Sequence, residues 1–388
     1  MKIVILSHEP FRNYMKSYYY IEEFQRDGYE VEYWCVQEAL KYSSSLHYNH
    51  RDHGSNILYF NDIDALIDCI NSLSSATIVM LDIWLNWDTI KIFKTIKNKS
   101  LKTFQIDYFR NYPLLVTRLS KVKQALMAQD YLSIITAFIR IFKRKAFDAY
   151  ANIIGISTAS VVFIPGKRGL SLGGGQAVVS ISHYDATNFE KSVSKAFKPE
   201  KPYMVFLDSY LNGHPDIARL NQKPIDSEVY FAKMNKAFKQ IENELKVDIV
   251  IAAHPKSNYT YQFGDRIVLK NNTSELIHNC QGVLAHHSIS INYAVLAKKQ
   301  VCLLYTDDFV SSEKSTLFLK IVYDAIKGYQ ELLNCSIVNI DRPFSPKQFK
   351  VVDEICYSNF IQNYILAAGT QRSNYDIIKG EIDRSQKA

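Results

Sequence analysis

The sequence lacks most of the features that assign a chain to a class at once. Its six cysteines, Cys35, Cys69, Cys280, Cys302, Cys335 and Cys356, form no CxxC pair and follow no regular spacing. That pattern argues against a zinc ribbon or a disulfide framework and reads as free thiols in a reducing compartment. No stretch approaches the roughly 18 apolar residues of a membrane span, and the apolar part of Met1-Lys-Ile-Val-Ile-Leu-Ser is too short for a signal peptide. A GxGxxG fingerprint is absent, and the three glycines at 173–175 lack the Lys-Ser/Thr pair of a P-loop. No nucleic-acid-binding motif accompanies the basic residues. A net charge of +7 therefore predicts another anionic partner, either a membrane surface or a nucleotide-linked substrate. These exclusions predict a cytoplasmic chain, soluble or peripheral at the inner face of the cytoplasmic membrane, with no cofactor.

What is present describes an ordinary globular protein. With 388 residues, 47% hydrophobic and 22% charged, the chain can bury the cores of two or three domains. The 26 tyrosines and 21 phenylalanines accompany sugar binding or interfacial contact in many proteins, and codon bias in an AT-rich genome yields the same composition.

Along the chain, strands and helices alternate. Residues 2–7 and 29–36 read as strands around a helix at 13–26 that Asp27-Gly28 stops. Strands at 57–60, 76–81 and 103–106 alternate with helices at 62–73 and 88–98. A long helical region at 114–150 follows, then a strand at 152–156, a glycine-rich loop at 161–175 and a strand at 177–182. The polar stretch 188–200 reads as a connection between halves. The alternation then restarts: strands at 203–207, 248–252, 267–269, 282–285 and 301–305, helices at 226–245, 274–280 and 288–297, and a helical tail at 346–367. Such alternation predicts α/β architecture with parallel sheets, as two Rossmann-like domains facing each other across a cleft. The expected parts are an acceptor domain at 1–190, a nucleotide-sugar-binding domain at 200–345 and C-terminal helices at 346–388 that return to the first domain. Within the long helical region, the apolar run 131–142 leads into Lys143-Arg144-Lys145; it suits an anionic bilayer surface, and equally a buried helix with a solvated basic end.

Three strand ends in the second half carry polar residues where open α/β sheets bind ligands. Asp208 follows Met204–Leu207, His254-Pro255 closes Asp248–Ala253, and Ser288 and Ser290 follow Gly282–Ala285 at the start of a helix. A helix start with serine hydroxyls fits a phosphate, and it fits an N-cap as well. In the first half, His8 and Glu9 close the first strand and are the expected acceptor-binding residues. Asp307-Asp308 lies in a loop without the spacing of a metal-binding DxD, so metal-independent chemistry is expected.

The strand ending in His254-Pro255 and the later Ser288-Ile-Ser-Ile-Asn-Tyr-Ala-Val-Leu-Ala-Lys-Lys299 resemble the C-terminal half of bacterial sialyltransferases and polysialyltransferases. They are also similar to Kdo transferases and, more distantly, to the glycerophosphate polymerases of teichoic acid synthesis. The resemblance covers residues 200–305 and implies a fold of the GT-B kind. It also implies a CMP-sugar donor contacted by His254, Pro255, Ser288 and Ser290, and a glycan or glycolipid acceptor. The chain departs from the pattern twice: Ile289 separates the serines, and the acidic motif that supplies a base in many relatives is missing. Asp208 is the first candidate for that base, with Asp82 and Asp107 as rivals, and His254 would stabilise the departing phosphate. A CDP-alcohol-dependent glycerol- or ribitol-phosphate transferase is the alternative, and a non-enzymatic binding protein a third.

Overall fold

The computed structural model describes residues 1–41, 54, 56–111, 131–172, 176–214, 217, 222–259, 262–311 and 315–387, with backbone alone for 131–138 and 140. The described chain divides into two compact units: Met1–Asn111, 131–182 and 367–387 form the first, His183–Leu366 the second.

Each unit is built on one parallel sheet. In the first, β1 (Lys2–Ser7), β2 (Glu30–Cys35), β3 (Ile57–Tyr59), β4 (Ile78–Asp82), β5 (Lys102–Ile106), β6 (Val161–Pro165) and β7 (Ala177–Ile181) lie in the order β3-β2-β1-β4-β5-β6-β7. In the second, β8 (Tyr203–Leu207), β9 (Asp248–Ala253), β10 (Val268–Lys270), β11 (Gly282–Ala285), β12 (Gln300–Tyr305) and β13 (Ser336–Asn339) lie in the order β10-β9-β8-β11-β12-β13. Renumbered within its unit, the second order is 3-2-1-4-5-6, the doubly wound Rossmann arrangement, and the first repeats it with one added strand. Helices cover both faces of such a sheet, so its strands read as continuous apolar runs. Tyr203–Leu207 is buried throughout, as are Ile249–Ala253 of β9. Gly282 opens β11 because a Cβ there would meet the Met204 side chain at 2.8 Å and the Gln300 carbonyl at 3.2 Å.

Several local expectations are corrected. The helix expected at 13–26 is two helices, Tyr14–Tyr18 and Ile21–Arg26, because Tyr20 adopts a left-handed φ of 57°. The apolar residues 152–156 are not a strand. The helix Tyr131–Ile153 ends among them, and the turn after it closes at Gly155, φ 63°, with the Ile156 N–H donating to the Ala151 carbonyl. The strand that follows is Val161–Pro165, in the stretch read as a glycine-rich loop. The stretch read as a connection begins inside a helix, Tyr184–Ser192, capped by the His183 ring accepting from the Asp185 N–H. The expected helix at 288–297 is shorter, Ile291–Leu296. The glycines at 173–175, and the part of the long helical region before 131, lie outside the described residues.

Candidate functional site

In a parallel sheet every strand delivers the chain to the same edge, so residues following β8, β9 and β11 gather at the C-terminal edge of the second sheet. Asp208, the first residue after β8, is buried, and its carboxylate is fully engaged. Oδ1 accepts from the Tyr210 N–H at 2.9 Å, and Oδ2 from the Tyr259 hydroxyl at 2.9 Å and the His254 N–H at 3.2 Å. Burial pushes its pKa up, opposed by these three bonds. Asp208 thus ties the turn after β8 to the turn after β9. Tyr210, held in a left-handed φ of 51°, places its ring 5.9 Å from that of His254, nearly parallel to it. Such a backbone costs a bulky residue about 1–3 kcal/mol, so the ring position is imposed by the surrounding fold.

His254 is half-buried, and its hydrogen bonds determine its tautomer. The Lys256 N–H donates to Nδ1 at 3.2 Å, so in the neutral ring Nδ1 is the acceptor and Nε2 carries the hydrogen. Burial, followed by neighbouring His214 and Lys256, lowers its pKa to about 4. At neutral pH His254 is an uncharged N–H donor. His286, the first residue after β11, is different in kind. It is fully buried, donates from Nδ1 to the Leu304 carbonyl at 2.6 Å and faces the Tyr230 hydroxyl at 2.8 Å through Nε2. That ring holds the core together.

Ser288 and Ser290 follow β11. The Ser288 hydroxyl accepts from the Ser290 N–H at 3.2 Å and shapes the turn. The helix after it has six residues, less than two turns, so its dipole is a weak anchor for an anion. Ser290 and Pro255 border a cavity of about 470 Å³, whose other walls include Lys191, Lys195, Thr273 and Tyr293. Lys191 and Lys195 are exposed and make no ion pair among the described residues. His254 and Ser288 do not line this cavity. Sequence reasoning missed the lysines because their segment read as a connection. The signal was present: Tyr184, Asn188, Lys191 and Lys195, all cavity-lining, recur at helical spacing.

At the C-terminal edge of the first sheet, Ser7 and Asp82 are register partners on β1 and β4. The Ser7 hydroxyl donates to Asp82 Oδ2 at 2.6 Å, and His8 Nδ1 lies 2.6 Å from the Asp82 carbonyl and 3.9 Å from Oδ2. A carbonyl only accepts, so Nδ1 carries the hydrogen and Nε2 the lone pair, the opposite tautomer to His254. Burial raises the Asp82 pKa against the opposing pull of His8, Ser7 and Tyr19. Glu9 is held by Tyr14, whose hydroxyl reaches Oε2 at 3.3 Å, and by Tyr33, which donates to its carbonyl at 2.8 Å. Trp84, 58% exposed, lies with its ring 4.8 Å from that of His8. Asp107 closes a turn instead, accepting from the Arg110 N–H and pairing with its guanidinium at 2.9 Å.

Among the described residues no three His, Cys, Asp or Glu side chains group as metal ligands. Asp308 and Asp341 share the Lys233 ammonium at 2.8 and 2.9 Å, and Asp307 pairs with Arg342 at 3.0 Å.

No protein-family model matches the chain, and no curated protein does. Solved structures do. The wall teichoic acid polymerase TagF, in a single-residue variant, superposes with a TM-score of 0.52 at 12% identity, over 100% of this chain and 90% of that one. The S. aureus MnaA–UDP co-structure gives 0.48 at 13% identity over 100% and 96%, and Acinetobacter baumannii MurG 0.42 at 9% over 100% and 99%. The likeness to TagF is one of fold, and with the two strand orders it identifies the chain as two Rossmann-like domains of the GT-B kind.

Proposed function

We propose that the chain is a glycosyltransferase moving an acidic sugar, such as sialic acid, a related nonulosonic acid or Kdo, from a CMP-sugar donor to a surface glycan in polysaccharide or lipooligosaccharide biosynthesis. The observation that carries this reading is the cavity of about 470 Å³ at the second sheet's C-terminal edge, where Pro255 and Ser290 meet two unpaired lysines. Its size suits a nucleotide, and Lys191 and Lys195 supply charge for the donor's two anionic groups, phosphate and sugar carboxylate.

His8 and Glu9, in the first unit, are assigned to binding the acceptor, whose hydroxyl gives its proton to a general base. The acceptor oxygen bonds to the anomeric carbon as the bond from that carbon to the phosphate oxygen breaks, and CMP leaves with the electron pair. His254, outside the lining but directly before the cavity-lining Pro255, is assigned to that phosphate at the cavity's border, where it donates from Nε2 as a neutral hydrogen-bond donor without transferring a proton. Asp208, with both oxygens occupied by the turns around it, is assigned to positioning His254 rather than to proton abstraction.

A second reading is glycerol- or ribitol-phosphate transfer from a CDP-alcohol, which the same two lysines favour because a diphosphate also offers two anionic groups. Titrating the chain with CMP, CDP, UMP and UDP separates the cases. Tightest binding of CMP and transfer from a CMP-sugar support the first reading. Transfer from a CDP-alcohol supports the second, and binding of none of the four removes both.

A further inference from the structure

The helix Tyr131–Ile153 carries a surface that the proposed chemistry leaves unused. Its inner side packs on the first core through Phe147 and Ala151, both nearly fully buried. Its outer side presents Ile139, Phe142, Ala146, Ala149 and Ile153, all exposed; Phe142 is 75% and Ile153 83% accessible. At about 100° per residue these five fall within an arc of about 80°, a continuous apolar stripe. Lys143 and Lys145, exposed and without an ion pair among the described residues, stand about 40° outside its two edges. Beside the stripe, Trp87 is half-exposed and stacks on Tyr150 at 5.3 Å. The one acidic residue between 139 and 153, Asp148, lies away from the stripe and is neutralised by Arg144 at 2.9 Å.

An apolar stripe edged on both sides by lysines, with an aromatic ring at its border, is the pattern of a helix lying in a bilayer interface. Apolar side chains enter the acyl boundary while the lysine stems let their ammonium groups stay among the headgroups. A second copy of the chain is a poorer occupant, because pairing two such faces brings lysine edge against lysine edge. Nor does the helix cross: among the described residues no helix is long and apolar enough to span a membrane. We infer that the outer face of this helix docks the protein onto an anionic lipid surface, with Phe142 and Ile153 as the inserting side chains and Lys143 and Lys145 as the charge contacts.

The test is co-sedimentation with vesicles of phosphatidylcholine alone or with phosphatidylglycerol added. The full chain should sediment with the phosphatidylglycerol vesicles, less so at high salt, and scarcely with phosphatidylcholine alone. Phe142→Ser with Ile153→Ser should weaken binding by at least about tenfold, and Lys143→Glu with Lys145→Glu by about tenfold or more. Both pairs should leave the melting temperature unchanged, since all four residues are exposed. Failure of the unaltered chain to bind anionic vesicles overturns the inference. So does unchanged binding by the serine pair, or a sedimentation-velocity dimer that the serine pair dissolves.

Discussion

If His254 is a neutral donor, its conservative replacement has a definite outcome. With a pKa of about 4, roughly one ring in a thousand is protonated at pH 7, too few for the group to act as a general acid. What it offers is the Nε2–H, and a hydrogen bond to a charged group contributes about 1.5–3 kcal/mol. His254→Ala should therefore weaken CMP binding by about 10- to 150-fold, with a similar fall in kcat/KM. His254→Gln, which supplies a neutral N–H at comparable reach, should remain within about threefold of the unaltered chain if the donor alone matters. The assay is calorimetric titration of CMP, together with kcat/KM for transfer across about pH 6–8. If activity in the unaltered chain rises as His254 gains a proton and that limb disappears in His254→Gln, the ring is an acid after all. A loss as large in Gln as in Ala also refutes the argument.

Two other outcomes follow. His8→Ala should raise the acceptor KM by about tenfold while leaving CMP affinity unchanged, because His8 belongs to the first unit and the nucleotide cavity to the second; a fall in CMP affinity contradicts the division of roles. Stability should also fall in acid. His254 and His286 resist protonation in the fold down to about 4, whereas in the unfolded chain they titrate near 6.5. Their contribution is complete above pH 6.5 and is lost as pH falls towards 4, on the order of 3 kcal/mol for the fully buried His286 and less for the half-buried His254, which solvent screens in part. Urea unfolding at pH 7.5 and 4.5 measures this, and equal stabilities at the two values contradict the neutral burial of these rings.

The fold was legible because parallel strands buried on both faces appear as unbroken apolar runs, Met204–Leu207 and Ile249–Ala253 among them. The same rule misled at 152–156, where apolar residues belong to a helix end. Only the backbone at Gly155 distinguishes the two cases. The break at Tyr20 was hidden for a related reason, since a left-handed tyrosine has no signature in composition. At the site, the polar strand ends were visible, but their chemistry was not. Whether Asp208 is a free base or an occupied acceptor depends on Tyr210, Tyr259 and His254 meeting it in space. The tautomers of His8 and His254 are fixed by backbone groups that a sequence does not place.

On the proposed function, the cavity bordered by Pro255 and Ser290 holds the donor nucleotide. Calorimetric titration of CMP and CDP into the chain and into Ser290→Trp, which fills the cavity from its rim, tests it most directly. Saturable one-to-one binding of at least one of the two is expected, weakened by at least about tenfold in the filled variant at unchanged melting temperature. Absence of binding to the unaltered chain, or equal affinity in Ser290→Trp, contradicts it.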